Sequence, residues 1–243
     1  MGLIIYDGKS SKDYGIIVEK FPAIKHGAKR GEPYQIAGRN GVFYDEDGTV
    51  DNYVQAYQIA IREGLLRPAD KRCADIQAWL SGSGFKRLED NFEPEYFKLA
   101  RYAGPLNVEQ IMGRWGRCTL EFECQPERWL KIGEKPITAD TSILTIHNPT
   151  PYTAKPLIEI TRTGDTTISI GNTAFMMISY GSGMSNVVID CDAGTITAGG
   201  LDMYGATAFY TTYYDFPELP PGDVTISATN ATRISVTPRW YLL

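Results

Sequence analysis

The stretch from Pro68 to Tyr102 constrains the fold most, because a helix start, a helix stop and a returning pair of strands can all be read in it. Its apolar residues recur at spacings of three and four, which predicts one helix over about residues 70–81. They are Cys73, Ile76, Trp79 and Leu80. The Ser-Gly-Ser-Gly run at 81–84 ends the helix, and residues 85–88 and 96–102 then read as strands. We expect the apolar side of the helix to cover the sheet that these strands join.

Composition favours a globular, mainly β protein. The chain is 43% hydrophobic and 22% charged, and its 15 Tyr, 24 Gly and 14 Pro favour strands and turns. A net charge of −5 argues against a protein that grips the nucleic-acid backbone. The amino terminus lacks the pattern of a signal peptide, and no apolar run approaches the roughly 20 residues of a membrane-spanning helix. We therefore expect folding in a cytosol, without membrane insertion.

Neither metal binding nor disulfide bonding is supported by the cysteine spacing. Cys73, Cys118, Cys124 and Cys191 form no close C-x-x-C pair, so four buried thiols are expected. The acidic segment 45–51 superficially resembles a calcium loop, but the twelfth position from Asp45 is Ala56 instead of a glutamate. Its Asp47-Gly48 dipeptide is better interpreted as a hairpin turn.

The amino-acid composition changes after Pro136. Charged residues become sparse, and short β-branched segments alternate with turn signals such as Asn148-Pro149 and Thr163-Gly164-Asp165. Such spacing is typical of an antiparallel sandwich. The sequence thus predicts two domains, a β domain with one helix at 1–136 and a β-sandwich at 137–243.

No set of reactive groups converges in the sequence. His26 and His147, the only histidines, lie in loop-like contexts without a partner for acid–base or nucleophilic chemistry. Acidic pairs such as Asp190 with Asp192 lie two residues apart on probable strands, which is typical of solvated surface charge. We expect no catalytic residue, no bound metal and no cofactor, and hence a protein that is not an enzyme.

An ordered series of motifs nevertheless resembles the distal tail protein family of long-tailed, siphovirus-type bacteriophages. In the second half the series comprises 143–148, 155–160, 189–191, 216–222 and the terminal Pro-Arg-Trp-Tyr at 238–241. In the first half it comprises the opening segment, read as a hairpin, Gly38-Arg39-Asn40-Gly41, the helix ending Trp79-Leu80, and the strand ending at Pro126. The resemblance covers nearly the whole chain.

This resemblance implies a belt-like amino-terminal β domain carrying one α-helix, followed by a galectin-like antiparallel β-sandwich. It also implies a homo-hexameric ring at the tail tip of the virion, assembled in the bacterial cytoplasm. Such a ring joins the tail tube protein to the baseplate hub or tip protein. It leaves a channel through which DNA passes without specific binding. In this family, receptor-binding proteins often attach through the carboxyl-terminal domains.

One strand offers a surface for such a ring. Residues 115–124 alternate cleanly, with one apolar face and an exposed row that contains Arg117, Glu121 and Glu123. This row can pair with charges on a neighbouring copy in a cyclic interface. The alternative is that these charges only keep a monomer soluble, and the sequence leaves both interpretations open.

A second function class also remains open, in which the sandwich is a carbohydrate-binding module that recognises the host cell surface. A sugar site usually presents an exposed aromatic platform. The dense candidate is the segment 204–214, with Phe209, Tyr210, Tyr213 and Tyr214. Core packing explains the same cluster equally well.

Overall fold

The computed structural model describes residues 2–62, 69–111, 115–179, 185–210 and 215–243, and these divide into two compact units. The first unit comprises 1–128 with Leu243, and the second comprises 129–242. Both units are built mainly from antiparallel strands, which confirms the mainly β fold class. No helix in the described ranges is long and apolar enough to span a membrane.

The first unit is a curled sheet with one α-helix, α1, at Ala69–Leu80. Its strands are β1 Ile4–Tyr6, β2 Lys9–Ser10, β3 Ile16–Val18, β4 Lys29–Tyr34, β5 Phe43–Val50, β6 Tyr53–Arg62, β7 Lys86–Asp90, β8 Tyr96–Tyr102, β9 Glu109–Ile111 and β10 Trp115–Leu130. A short 3-10 turn occupies Ser11–Tyr14. The sheet order is β2-β1-β7-β8-β10-β6-β3, and β9 also pairs with β10.

Helix α1 confirms the helix expected over about 70–81. Ile76, Trp79 and Leu80 are buried in the core of the first unit, as their spacing predicts. The Trp79 ring stacks on Tyr14 at a centroid distance of 4.6 Å, and its Nε1 donates a hydrogen bond to the Tyr6 carbonyl at 3.0 Å. The helix therefore anchors the first strand as well as covering the sheet.

The opening segment does not form the simple hairpin that the sequence suggests. Strand β1 pairs with β2 and β7, whereas β3 pairs with β6. A single bridge between Gly2 and Val18 is what joins the first residues to β3. The chain does turn between β1 and β3, but both strands form their main hydrogen bonds with strands distant in the sequence, β7 and β6. Local turn signals carry no information about such distant partners.

Strands β4 and β5 form a separate two-stranded sheet, which we call the hairpin arm (residues 29–50). Its connecting loop is 35–42, where Gly38 and Gly41 adopt positive φ values of 79° and 95°. The prediction of a hairpin turn at Asp47-Gly48 was wrong, because both residues lie within β5. Lys29 pairs with Val50 and Gly31 with Glu46, so this dipeptide forms a bulge within β5. Its Gly48, with φ 79°, supplies the positive φ of that bulge.

The second unit is a sandwich of two antiparallel sheets. Its strands are β11 Ile137–Ala139, β12 Ile143–Asn148, β13 Leu157–Arg162, β14 Thr166–Ile170, β15 Thr173–Ile178, β16 Asn186–Asp190, β17 Thr195–Ala198, β18 Leu201–Asp202, β19 Thr207–Phe209, β20 Gly222–Ala228 and β21 Ala231–Thr237. A last short strand, β22 Tyr241–Leu242, follows and belongs to neither sheet. Short 3-10 turns lie at Lys131–Glu134 and Tyr204–Ala206. The six-stranded sheet has the order β11-β21-β13-β16-β17-β18, and the five-stranded sheet has the order β12-β20-β14-β15-β19.

The sandwich core follows the alternation of the sequence. In β12 and β13, every second side chain is buried, as in Leu144, Ile146, Ile158 and Ile160. The intervening side chains face solvent. This is the antiparallel sandwich that the turn spacing predicts.

The two units divide between Arg128 and Trp129, earlier than the change of composition after Pro136 suggests. The segment between these points belongs to the sandwich by its contacts. The Leu130 N–H donates to the Trp240 carbonyl at 2.8 Å, and a Cβ at Gly133 would lie 2.5 Å from the Trp240 nitrogen. Composition therefore changes only after the chain has already joined the second unit.

Candidate assembly surfaces

The charged row on β10 lies on the outward face of its strand, as the alternation predicts. Arg117 and Glu121 are exposed, while Leu120 and Phe122 point into the core. The Arg117 Nε donates to Glu19 Oε1 at 3.0 Å, which ties this guanidinium to the same chain.

Glu123 is also engaged within the chain. Its Oε1 accepts from Asn52 Nδ2 at 2.8 Å, and its Oε2 accepts from Arg101 Nε at 2.7 Å. These hydrogen bonds, that from Asn52 first, lower the pKa of the Glu123 carboxyl. Glu121 differs, because its carboxylate has no hydrogen-bond or ion-pair partner in the part of the chain that the structure describes. Of the three residues, Glu121 is thus the one with unused bonding capacity.

The hairpin arm exposes far more apolar surface than the charged row. Tyr34, Ile36, Val42 and Tyr44 are 50%, 44%, 45% and 62% exposed. They lie on both strands and at both ends of the connecting loop. A concentration of exposed large apolar side chains on one element marks an interaction surface more often than chance scatter does. Sequence reasoning missed this surface, because the arm's mixed composition resembles that of an ordinary loop.

The arm is held together by its own polar contacts. Lys29 pairs with Glu46 at 3.3 Å and Arg30 with Asp51 at 2.9 Å, both at exposed positions. The Asp47 carboxylate accepts hydrogen bonds from the Thr49 N–H and hydroxyl at 2.8 and 2.6 Å, which lower its pKa. Exposed pairs of this kind contribute little energy, so they set the shape of the arm more than its stability.

The aromatic segment proposed for sugar contact is divided between core and surface. Phe209 packs against the sandwich core and lies 5.7 Å from the Phe216 ring and 5.3 Å from the Tyr204 ring. Tyr210 is 55% exposed. Tyr213 and Tyr214 lie outside the described residues. The core-packing interpretation accounts for Phe209, and Tyr210 is left as an exposed single ring.

A buried polar network crosses the first unit near the connection between the two predicted strands at 85–88 and 96–102. The Tyr57 hydroxyl donates to Asp90 Oδ2 at 2.7 Å, and burial raises the pKa of this tyrosine. Lys98, which is 5% exposed, lies 2.7 Å from Glu93 and 3.7 Å from Asp90. Arg128 reaches the other Glu93 oxygen at 2.8 Å. The carboxylates of Asp90 and Glu93 are thus paired with these cations inside the unit.

Two of the motifs behind the resemblance meet in the sandwich. The Arg239 guanidinium forms a bidentate pair with Asp190, with N–O distances of 2.6 and 2.9 Å. Asp190 also accepts the N–H groups of Asp192 and Ala193, each at 3.1 Å. The Arg239 hydrogen bonds, more than any other contact, lower the pKa of the Asp190 carboxyl to about 2. Asp190 therefore joins the terminal segment at Arg239 to the turn at 192–193, and it is not the solvated charge that its spacing suggests.

Two further motifs meet around Asn148, which is 2% exposed. Its amide nitrogen donates to the Leu219 and Tyr152 carbonyls at 3.0 and 2.9 Å. Leu219 also forms a two-way backbone bridge with Ala154. The motifs at 143–148 and 216–222 thus specify how the sandwich closes.

The cysteine thiols are reduced and sequestered. Cys124 and Cys191 are buried, and Cys73 and Cys118 are partly buried. Burial raises the pKa of Cys118 to about 11 and that of Cys124 to about 12. Within the described ranges, no group of three or more His, Cys, Asp or Glu side chains is placed to hold a metal ion.

Comparison with known proteins assigns this architecture. Residues 150–240 match the family model for the siphovirus-type tail component, C-terminal domain. The whole chain superposes on the crystal structure of the SPP1 Dit protein, described as a paradigm of the hub adsorption apparatus in phages that infect Gram-positive bacteria. That match has a TM-score of 0.78 and 18% identity, and it covers 100% of both chains.

A second solved structure is similar over nearly the same length. A chain of the phage p2 baseplate, in its activated conformation with Sr, matches with a TM-score of 0.52 and 10% identity, covering 97% of each chain. No curated protein matches the sequence significantly. Residues 150–240 therefore match the carboxyl-terminal domain of the siphovirus-type tail component family, which agrees with the resemblance in the sequence, and the chain as a whole has the fold of the SPP1 Dit protein.

Proposed function

We propose that this protein is a structural component of a phage tail that forms a homo-hexameric ring at the distal end of the tail. The ring joins the tail tube protein to the baseplate or tip hub protein, and DNA passes through its central channel without specific binding. The match of the entire chain to a Dit fold, together with the tail-component match of its carboxyl-terminal domain, supports a hub role. In this role the protein is located in the virion, after assembly in the host cytoplasm.

The observation that carries the ring proposal is the hairpin arm. A monomer gains nothing from holding Tyr34, Ile36 and Tyr44 in water, since each loses the stabilisation that burial of apolar surface provides. In a cyclic assembly, the arm of one copy can bury these side chains against the next copy, and the same contact repeats around the ring. The unpaired Glu121 and the remaining charges on β10 are proposed as the polar part of this interface.

The test is the oligomeric state of the purified full chain, measured by sedimentation and by electron microscopy. We expect rings of six copies, formed alone or on addition of the tail tube and hub proteins. The double variant Tyr34→Ser with Tyr44→Ser should abolish them. Ile132→Ser is the matched control, because Ile132 is an apolar residue with 64% exposure in the sandwich. A chain that stays monomeric at high concentration and binds neither the tail tube protein nor the hub protein would refute the ring.

A further inference from the structure

A polar groove lies on the outer face of the six-stranded sheet, in the sandwich unit. It has a volume of about 360 Å³ and is lined by side chains from β13, β16 and β21. Volumes of roughly 300–1,000 Å³ are usual for small-molecule sites. We propose that this groove binds a neutral saccharide, which gives the tail component a ligand-binding activity separate from its role in a ring.

The groove is built by strand register. Glu159 stands at its centre, opposite Ser235 on one neighbouring strand and Val188 on the other. Two residues further along the same strand, Thr161 is opposite Asn186 and Arg233. Because alternate residues share a face, all these side chains project from the outer side of the sheet, while Ile158, Ile160, Val187 and Ile234 fill the core. The site is therefore fixed on rigid strands and does not depend on a loop.

Several polar groups in the groove have unused bonding capacity. Among the described residues, the Glu159 carboxylate has no hydrogen-bond or ion-pair partner. The Asn186 Oδ1 accepts from the Thr161 hydroxyl at 3.0 Å, which leaves its amide nitrogen available as a donor. Within the described ranges, the ion pair of Arg233 is a loose contact from its Nε to Asp140 Oδ1 at 3.7 Å. Apart from the hydrogen bond between Thr161 and Asn186, acceptors and donors thus face the same space with bonding capacity left for a ligand.

This combination selects the chemistry of the ligand. One carboxylate and one guanidinium leave the groove without net charge, which disfavours phosphates and other anions. Each hydroxyl of a saccharide both donates and accepts, so adjacent hydroxyls can bond to Glu159 and to Arg233 or Asn186 together. Val188, which is partly buried and lies opposite Glu159 on the neighbouring strand, offers a small apolar contact for the C–H face of a sugar ring. Without an aromatic platform, the affinity of a single groove will be weak, and several copies in one assembly would raise it.

The position of the groove also revises the sugar site suggested by the sequence. Phe209 is used in the core, and neither it nor Tyr210 lines the groove. The two locations make different predictions for mutagenesis. A groove ligand depends on Glu159 and Arg233, whereas an aromatic platform depends on Tyr210.

Saturation-transfer NMR on the full-length protein tests the proposal. The probes are neutral disaccharides of glucose, galactose and N-acetylglucosamine, with sialyllactose and glucose 6-phosphate as charged comparators. We expect transfer to at least one neutral sugar and none to the charged comparators. Affinity for that sugar should fall about tenfold in Glu159→Gln and in Arg233→Ala, the size expected when a hydrogen bond to a charged group is lost. Asp223→Asn is the control, because it removes an exposed carboxylate from the five-stranded sheet.

Three results would overturn the groove assignment. These are no transfer to any neutral sugar from the folded wild-type protein, preferential binding of the charged comparators, or binding that survives both groove variants but is lost in Tyr210→Ala. Circular dichroism of each variant confirms folding, since Glu159 and Arg233 are both exposed and their substitution leaves the core intact. Sedimentation of the same samples reports ring formation independently, so failure of the sugar proposal and failure of the ring proposal are distinguishable.

Discussion

The hairpin arm and the sandwich satisfy their side chains in opposite ways. The sandwich buries an extensive apolar core and closes it with buried or paired polar groups, such as Asn148 and the Asp190–Arg239 pair. The arm has two strands and no core, and it leaves large apolar side chains in water. An isolated two-stranded hairpin is marginally stable at best. The difference indicates that the sandwich carries stability and that the arm is shaped for contact with another molecule.

The largest loss of stability is expected on substitution of Arg162, which is 1% exposed inside the sandwich. The guanidinium donates to the Ile178 and Ser179 carbonyls at 2.6 and 3.0 Å. Arg162→Ala removes these donors and leaves a cavity, so the free energy of unfolding should fall by about 3 kcal/mol. Urea denaturation measures the change. The exposed Arg233→Ala is the control and should stay within about 0.5 kcal/mol of wild type. An Arg162→Ala protein as stable as that control would contradict the comparison.

A smaller effect is expected at Asp190, and it depends on pH. The bidentate pair with Arg239 lowers the Asp190 pKa from 3.8 to about 2, so the charged form favours the folded state. This contribution is fully present above about pH 4 and is lost as the pH falls toward 2. Partial exposure limits it to about 1–2 kcal/mol, less than the shift alone would give.

Asp190→Asn should therefore destabilise the protein at pH 6 and have little effect near pH 2. Asp192→Asn, which alters an exposed carboxylate in the same turn, is the matched control and should be neutral at both values. Urea midpoints at the two pH values measure the difference. An equal loss at both pH values would show that Asp190 acts through shape and not through charge.

The sequence predicts what depends on local pattern. The helix ending at Leu80, the alternating β10 strand and the sandwich strands all follow from periodicity and turn signals. It fails where partners are distant in the chain. The spacing of Asp190 indicates a solvated charge, and only the fold places Arg239 beside it. In the same way, no local pattern indicates that Tyr57 and Lys98 approach Asp90.

The functional surfaces show the same limit. Alternation correctly placed Arg117, Glu121 and Glu123 on the side of β10 opposite the core, but Glu123 is partly buried. Alternation also could not reveal that Glu19 and Arg101 approach Arg117 and Glu123. The Asp47-Gly48 pair has the residue types of a turn, and only the register between β4 and β5 shows that it forms a bulge. The groove at Glu159 requires three strands from different parts of the chain, so no sequence motif marks it.

The smallest change in stability is expected for a substitution in the hairpin arm. It is also the most direct test of the contrast between the arm and the sandwich. Tyr44 is 62% exposed, so Tyr44→Ser should change the unfolding free energy of the monomer by less than about 0.5 kcal/mol. Burial of such a ring at an interface is worth roughly 1.5–3 kcal/mol, and a closed ring contains one such contact for every copy. A substitution that denaturation barely detects should therefore disperse the assembly in sedimentation. If Tyr44→Ser instead weakened the isolated chain as much as Asp190→Asn does, the arm would be part of the monomer's own packing. Its exposed apolar side chains would then no longer point to a neighbouring copy.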